Sequence, residues 1–366
     1  MTPAFADLGF VLSAFECHRK GYDILIENPC NEWNHPMNYP RIWMSLAFLG
    51  LNQSHTFLLG IFIGFLFFTL ILIIIGRLNY AEALAYTIIL CSPSVMLGVE
   101  RGNTDLIIFI LLSVALLLLR SPRIVVRGFS YLTLLLAATL KLYPIFALAI
   151  VFKENKRRAY ILAGVIVVAF ILYVFSIFPD LKYISAETLR SNQLSYGGII
   201  IFNILFKLIK LFAPNQQGLD TIKIAMLALV VLLLLVIAYL LVKRRTLFED
   251  MSGLNTDFIQ SFRIGAGIYI GTFLLGNNWD YRLMFLIFTI PQILAWIKSN
   301  SWISLYSSFA FIGAIITLWL SRWSYTGLDE LINWLLFFYF ISSLMLTMPD
   351  SLKTLFRIRQ PLRQST

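Results

Sequence analysis

Charge is scarce in this chain, and so are cysteine and histidine. Only 13% of the 366 residues are charged while 59% are hydrophobic, a balance that excludes a soluble domain and points to a polytopic membrane protein. Three cysteines are too few for a disulfide scaffold. The three histidines, His18, His35 and His55, have no spacing that suggests a metal triad. No nucleotide-phosphate loop, cofactor fingerprint, low-complexity tract or clear repeat stands out, so neither a metal nor a cofactor is expected.

What the chain has is apolar runs. A membrane-crossing helix needs about 20 mainly apolar residues. Such stretches occur at 56–76, 80–98, 103–119, 159–178, 221–242, 258–276, 282–298, 301–319 and 328–349. Cytoplasmic loops carry the excess of Lys and Arg. Here the basic groups fall at Arg77, at Arg120, Arg123 and Arg127, at Lys153 to Arg158, at Lys243 to Arg245, at Lys298, and in the C-terminal stretch from Lys353 to Arg363. Every second connection is therefore basic and is expected on the cytoplasmic side. These clusters account for the net charge of +10, so no nucleic-acid partner is expected.

One segment breaks the alternation. Residues 128–152 are apolar with basic clusters at both ends, so a single crossing would put Lys153 and its neighbours outside. A hairpin turning at Lys141-Leu142-Tyr143-Pro144 returns the chain to the cytoplasm. Each arm of about 12 residues spans roughly 18 Å, which reaches only past mid-membrane. Irregular backbone is tolerated there only inside protein or along a wet cavity. The predicted fold class is an all-α integral membrane bundle with this re-entrant hairpin.

The expected organisation is an outer-face segment 1–55, a transmembrane domain 56–349 with an outer loop 179–220, and a basic cytoplasmic tail 350–366. The outer segment has no signal peptide and no spanning stretch, which leads us to expect a further helix ahead of it. Cys17 and Cys30 share the outer side, where oxidation is allowed, but spacing alone leaves bridged and free states open. Residues 198–212, apolar with Lys207 and Lys210, read as an interfacial or re-entrant helix.

The chemically useful side chains gather in the outer loops. Asp7 begins an expected helix over 4–20 and is either a first-turn carboxylate favoured by the helix dipole or a base for an acceptor hydroxyl. Arg41, in Asn38-Tyr39-Pro40-Arg41, is equally an interfacial anchor or a bidentate phosphate ligand. Asn103 fits an N-cap with Asp105 in the first turn, but capping leaves Glu100-Arg101 unexplained and makes Arg101 the stronger functional candidate. Lys141 at the hairpin apex needs a partner or water, either a carboxylate in a structural pair or a phosphate. Asn278, Trp279, Asp280 and Arg282 form a dense outer turn in which belt aromatics and a local ion pair compete with saccharide binding. Asn192 and Tyr196 add hydrogen-bonding groups in the other outer loop.

Gly102-Asn103-x-Asp105 opening a span, Lys141-Leu142-Tyr143-Pro144 in a short hairpin, and a Trp-Asp-Tyr turn before a Pro-containing helix together resemble the polytopic GT-C glycosyltransferases. The nearest branch is the family 87-like group of polyprenyl-phosphomannose-dependent mannosyltransferases. Asn38-Tyr39-Pro40-Arg41 also resembles the Tyr-Pro motif after that family's first loop. The resemblance covers nearly the whole chain and implies an outer-face active site in a bacterial plasma membrane. It further implies a polyprenyl-phosphate sugar donor, carrying mannose in that branch, a lipid or glycan acceptor, and an acidic base that falls on Asp7 by position. It makes Arg101, Lys141 and Arg282, with Arg41 in reserve, the donor-phosphate candidates. Asn103, Asp105, Tyr143, Asn192, Tyr196, Asn278, Trp279 and Asp280 become sugar or acceptor candidates. The chain departs from the family in lacking its first helix and in having no histidine in the Trp279-Asp280-Tyr281-Arg282 turn. A flippase of lipid-linked saccharide, or a saccharide polymerase or ligase, is the alternative.

The charge asymmetry makes the topology testable. A cysteine replacing Asn278 should react with an impermeant maleimide on intact cells, and one replacing Asn155 only after permeabilisation. External labelling at 155 would remove the hairpin.

Overall fold

The computed structural model describes residues 4–189, 194–212, 219–243, 258–276, 278–299, 302–320 and 328–348. The chain divides into two compact units, one of Met1–Cys91, Val95–Leu148 and Tyr160–Arg190, the other of Ser92–Ser94, Ala149–Ala159 and Ser191–Thr366. The described residues are almost wholly helical, and their only sheet is a pair of two-residue strands. Five helices are long and apolar enough to cross a membrane, and two bent helix pairs raise the number to seven. This is an all-α polytopic membrane protein.

In the first unit, α1 (Ala6–Arg19) packs on a 3-10 stretch, Arg41–Leu49, and on the start of α2 (Thr56–Ile75). The Cys17–Cys30 bridge is formed. α3 (Tyr80–Leu90) starts from a capping box in which Asn79 and Glu82 satisfy each other's backbone N–H. The chain bends by 57° into α4 (Pro93–Glu100), where Pro93 cannot continue the hydrogen-bond ladder. α5 (Thr104–Leu119) lies against α2 and α6 (Ile124–Leu140). The rings of Phe67 and Phe109 meet at 4.7 Å, and the Ser130 hydroxyl donates to the Ala115 carbonyl across the α5–α6 seam at 2.7 Å. α7 (Lys156–Ser176) and α8 (Phe178–Glu187) follow.

In the second unit, β1 (Ser195–Tyr196) pairs antiparallel with β2 (Asn278–Trp279), Tyr196 opposite Asn278. α9 (Ile200–Phe212), the helix expected over 198–212, sets Phe202 and Phe206 against Leu227, Val230 and Trp334. α10 (Leu219–Lys243) and α11 (Ile259–Leu275) both pack on α14 (Leu328–Leu346). The 3-10 stretch Asp280–Phe288 bends by 54° into α12 (Ile290–Ile297), and α13 (Trp302–Leu320) packs on α12 and α14. Large apolar side chains on α2, α7 and α10 point outward, among them Phe65, Leu172 and Leu232. In water such faces would be untenable, and against acyl chains they need no partner.

Five of the nine expected crossings are straight helices, and two, over 80–98 and 282–298, are the bent pairs. The remaining two, 103–119 and 258–276, are helices of 16 and 17 residues. At 1.5 Å per residue these reach about 24–26 Å, short of a 30 Å hydrocarbon core; both are interior helices whose residues are largely buried. The helical run of 128–152 breaks at Lys141, as expected. Its first limb is longer than anticipated, starting at Ile124 and taking Arg127 into the helix, and its second, Tyr143–Lys153, is 3-10 wound. The expected tail 350–366 lies outside the described residues.

Polar groups tie the second unit together. Asn333 Oδ1 on α14 accepts from Tyr269 on α11 at 2.9 Å and from Thr317 on α13 at 2.7 Å. Tyr269 also reaches the Asn333 carbonyl at 3.0 Å, so truncating Asn333 leaves Tyr269 a partner but removes that of Thr317 and a contact to Glu330. Interhelical bonds of this kind average about 0.6 kcal/mol and reach about 1.7 in membranes. Asn333→Ala should therefore lower stability by about 1 kcal/mol in an SDS unfolding titration, and an unchanged midpoint would take Asn333 out of the account.

Candidate functional site

The first turn of a helix leaves backbone N–H groups without intrahelical partners. Here the turn between α4 and α5 receives α1: the Phe5 N–H donates to the Glu100 carbonyl and the Asp7 N–H to the Arg101 carbonyl, each at 2.9 Å. Both chains take left-handed backbone to meet. Phe5 has φ 59° and Gly102 φ 57°; the conformation is natural for glycine and costs a phenylalanine of order 1–3 kcal/mol. The Phe5 ring lies against Gly60 of α2, where an added Cβ would come within 2.3 Å of it.

This docking delivers the Asp7 carboxylate to two donors. Arg101 binds Oδ1 through Nη2 at 2.6 Å and Nε at 3.0 Å, and the Asn103 amide donates to Oδ2 at 2.5 Å. Asn103 Oδ1 accepts the Asp105 N–H at 2.9 Å, capping α5 as expected. Arg101, which capping did not explain, has Asp7 as its partner.

Lys141 has a carboxylate partner, the first of the two readings its position allowed. Its Nζ lies 2.5 Å from Asp105 Oδ1, and the Tyr143 hydroxyl donates to the same oxygen at 2.7 Å. The pair is deeply buried, the Lys141 side chain 6% exposed and that of Asp105 not at all. Nζ also sits 5.0 Å from the Tyr39 ring centroid, and the Trp43 indole donates to the Leu140 carbonyl at 3.0 Å. The Asn38-Tyr39-Pro40-Arg41 segment is thus docked on the end of α6.

Arg41 is a clamp rather than an open anion site. Its guanidinium contacts Asp23 at 2.7 Å and Asp180 at 3.1 Å, joining the loop after α1 to α8. The hydrogen bond from Arg41 holds the Asp23 carboxyl below its usual range, against desolvation, and the same bond raises Arg41. Both side chains are about two-fifths exposed, so solvent screens the pair and its stabilisation is small.

The second unit gathers the other candidates. Tyr196 donates to or accepts from Thr272 at 2.8 Å and stacks on Tyr269. The Asn278 amide donates to the Thr272 carbonyl at 2.5 Å, and Arg282 donates to Asn278 Oδ1. Trp279 and Tyr281 are parallel with ring centroids 6.4 Å apart. Asp280 is buried, and two carboxylates that the sequence reasoning missed, Asp329 and Glu330, are buried in the same unit. Asp280 Oδ2, Asp329 Oδ1 and Glu330 Oε1 have no hydrogen-bond partner among the described residues, a costly state inside a membrane protein. The available signal was two adjacent acids opening an apolar stretch at 328. Asn192 lies outside the described residues. Among the described residues no group of three His, Cys, Asp or Glu is placed to hold a metal ion.

The family model of glycosyltransferase family 87 matches residues 42–254, more than half of the chain. The match includes Arg101, Asn103, Asp105, Lys141 and Tyr143 and leaves Asp7 and the 278–282 turn outside it. No curated protein and no solved structure matches the chain.

Removing one member of a buried pair leaves an uncompensated charge and typically costs 3–5 kcal/mol. Lys141→Met should therefore destabilise the first unit by about that amount, and Lys141→Met with Asp105→Asn should recover most of it. Thermal melting in detergent checks both. A single variant as stable as the parent would return Lys141 to the role of a ligand-binding cation.

Proposed function

This chain belongs to glycosyltransferase family 87, and we propose that it transfers a sugar from a polyprenyl-phosphate donor to a hydroxyl of a lipid or glycan acceptor on the non-cytoplasmic face of a plasma membrane. The sugar in this reading is a hexose, mannose in the branch the motifs resemble. The observation that carries the proposal is the Asp7 carboxylate, gripped by Arg101 and Asn103 at the head of α1.

An ionised carboxylate has about four lone-pair positions, and the three bonds from Arg101 and Asn103 leave one on Oδ2 for the acceptor. Asp7 takes the acceptor's hydroxyl proton as its oxygen attacks the anomeric carbon. The bond from that carbon to the phosphate oxygen breaks, polyprenyl phosphate leaves with the electron pair, and configuration inverts. Phosphate is a good leaving group, so no dedicated acid is needed. Arg101 is the cation assigned to the charge growing on the phosphate, and Asn103 positions the base. Lys141 and Tyr143 act one step back, holding Asp105 and with it the cap that orients Asn103. Arg282 and the saccharide-type groups Tyr196, Asn278, Trp279 and Asp280 belong to the second unit, where Arg282 remains a donor-phosphate candidate. Outward apolar faces on α2 and α7 support a donor that arrives from the lipid.

Asp7→Asn keeps the size and the bonds from Arg101 to Oδ1 but removes the proton acceptor and puts an amino group against the Asn103 amide. Transfer from a panel of polyprenyl-phosphate sugars, followed by product mass, should fall about 10²–10⁴-fold while donor binding persists. Near-normal transfer by folded Asp7→Asn protein would move the base elsewhere.

A further inference from the structure

The first unit contains a cavity of about 250 Å³ that the proposed transfer does not use. It lies between the N-terminal half of α1 and the start of α2, closed by the loops around residues 31–33 and 53–54. Its walls present four aromatic rings, Phe5, Phe10, Trp33 and Phe57, and five polar side chains, Asn31, Glu32, Gln53, Ser54 and Thr56. Trp33 is 61% exposed although it is the largest apolar side chain there.

The polar groups are pinned, yet each keeps capacity. The Gln53 amide donates to the Cys30 carbonyl at 2.5 Å, beside the Cys17–Cys30 bridge, and Asn31 Oδ1 accepts the Trp33 N–H at 3.0 Å. Gln53 Oε1, the Asn31 amino group and the Glu32 carboxylate make no hydrogen bond among the described residues. The Ser54 and Thr56 hydroxyls give their protons to Asn52 Oδ1 and the Gln53 backbone carbonyl, so the site offers the Asn31 amino group as donor and Gln53 Oε1 and the Glu32 carboxylate as acceptors around aromatic faces, held on a stapled loop.

Chemistry narrows the ligand. No Lys or Arg lines the cavity, and Glu32 would repel an anion, which excludes a phosphate headgroup. A hydrocarbon tail would leave the amides and carboxylate desolvated without partners. A quaternary ammonium suits an aromatic cage but makes no hydrogen bonds with the amides. A neutral polyhydroxyl ring donates and accepts at its edge and is apolar on its face. The volume lies just below the ~300–1,000 Å³ of drug-sized sites, suited to one such ring. We propose that this cavity is a subsite for a neutral sugar unit of a glycan acceptor, an inference that rests on the transfer reading above.

The test uses the full chain in lipid nanodiscs with methyl glycosides of mannose, glucose and galactose, their α-linked disaccharides, choline chloride and inorganic phosphate, read by saturation-transfer NMR. At least one sugar should bind the parent protein and Asp7→Asn alike, and bind at least 10-fold more weakly to both Trp33→Ala and Glu32→Ala. Melting temperatures must match the parent's, as expected for a largely exposed Trp33. With an active donor, Trp33→Ala should raise the KM for a glycan acceptor about 10-fold and leave kcat and the donor KM unchanged. Sugar binding that both variants preserve, or its absence for every sugar, or choline or phosphate binding that they abolish, overturns the subsite. Sugar binding lost in the variants without transfer from any donor supports the cavity and rejects the transfer reading. Transfer whose acceptor KM ignores Trp33 does the reverse.

Discussion

The amide of Asn103 faces two demands at once, and the first unit is organised around its meeting both. Its oxygen satisfies the N–H of Asp105 and so starts α5, while its nitrogen grips the carboxylate of Asp7 at the head of α1. A helix start and a candidate reaction centre are thereby fixed by one planar group whose two ends cannot move independently. Asp105, the residue whose backbone it caps, is anchored from the other side by Lys141 and Tyr143. The chain of contacts from α6 through α5 to α1 is made of charged or hydrogen-bonded groups, and at its buried Lys141–Asp105–Tyr143 end such bonds are strong and their loss is expensive.

The two units treat buried carboxylates differently. In the first, the buried Asp105 is matched by Lys141, as a membrane interior demands, and the partly exposed Asp7 by Arg101. In the second, Asp280, Asp329 and Glu330 each keep an oxygen without a partner among the described residues. The Gly197 N–H reaches the other oxygen of Glu330 only at 3.4 Å. Matched charges preserve a geometry, whereas an oxygen buried without a partner is a cost that calls for an explanation of its own.

Much of this was legible in the sequence because a membrane leaves few alternatives: an apolar stretch must be helical. The bends within 80–98 and 282–298 were not read, although Pro93 and Pro291 stand beside them. The start of α5 was legible from Asn103 and Asp105 by capping chemistry alone. The partner of Lys141 was not, because Asp105 lies 36 positions away and a sequence carries no information on which helix faces meet. Arg41 was read as anchor or ligand because the two carboxylates that hold it, Asp23 and Asp180, are 18 and 139 positions distant. Asp329 and Glu330 were passed over since acids in a first helical turn look like ordinary partners of the dipole.

The seating of Phe5 against Gly60 makes the width of α2 at that point a matter for α1. A side chain at 60 and an aromatic ring at 5 compete for one volume, and the left-handed backbone of Phe5 denies the ring an easy escape. Size at the two positions is therefore constrained only as a sum. Among relatives, a bulkier residue at the equivalent of 60 should accompany a smaller one at the equivalent of 5, so that the pair leaves a covariation signature although neither residue touches the chemistry.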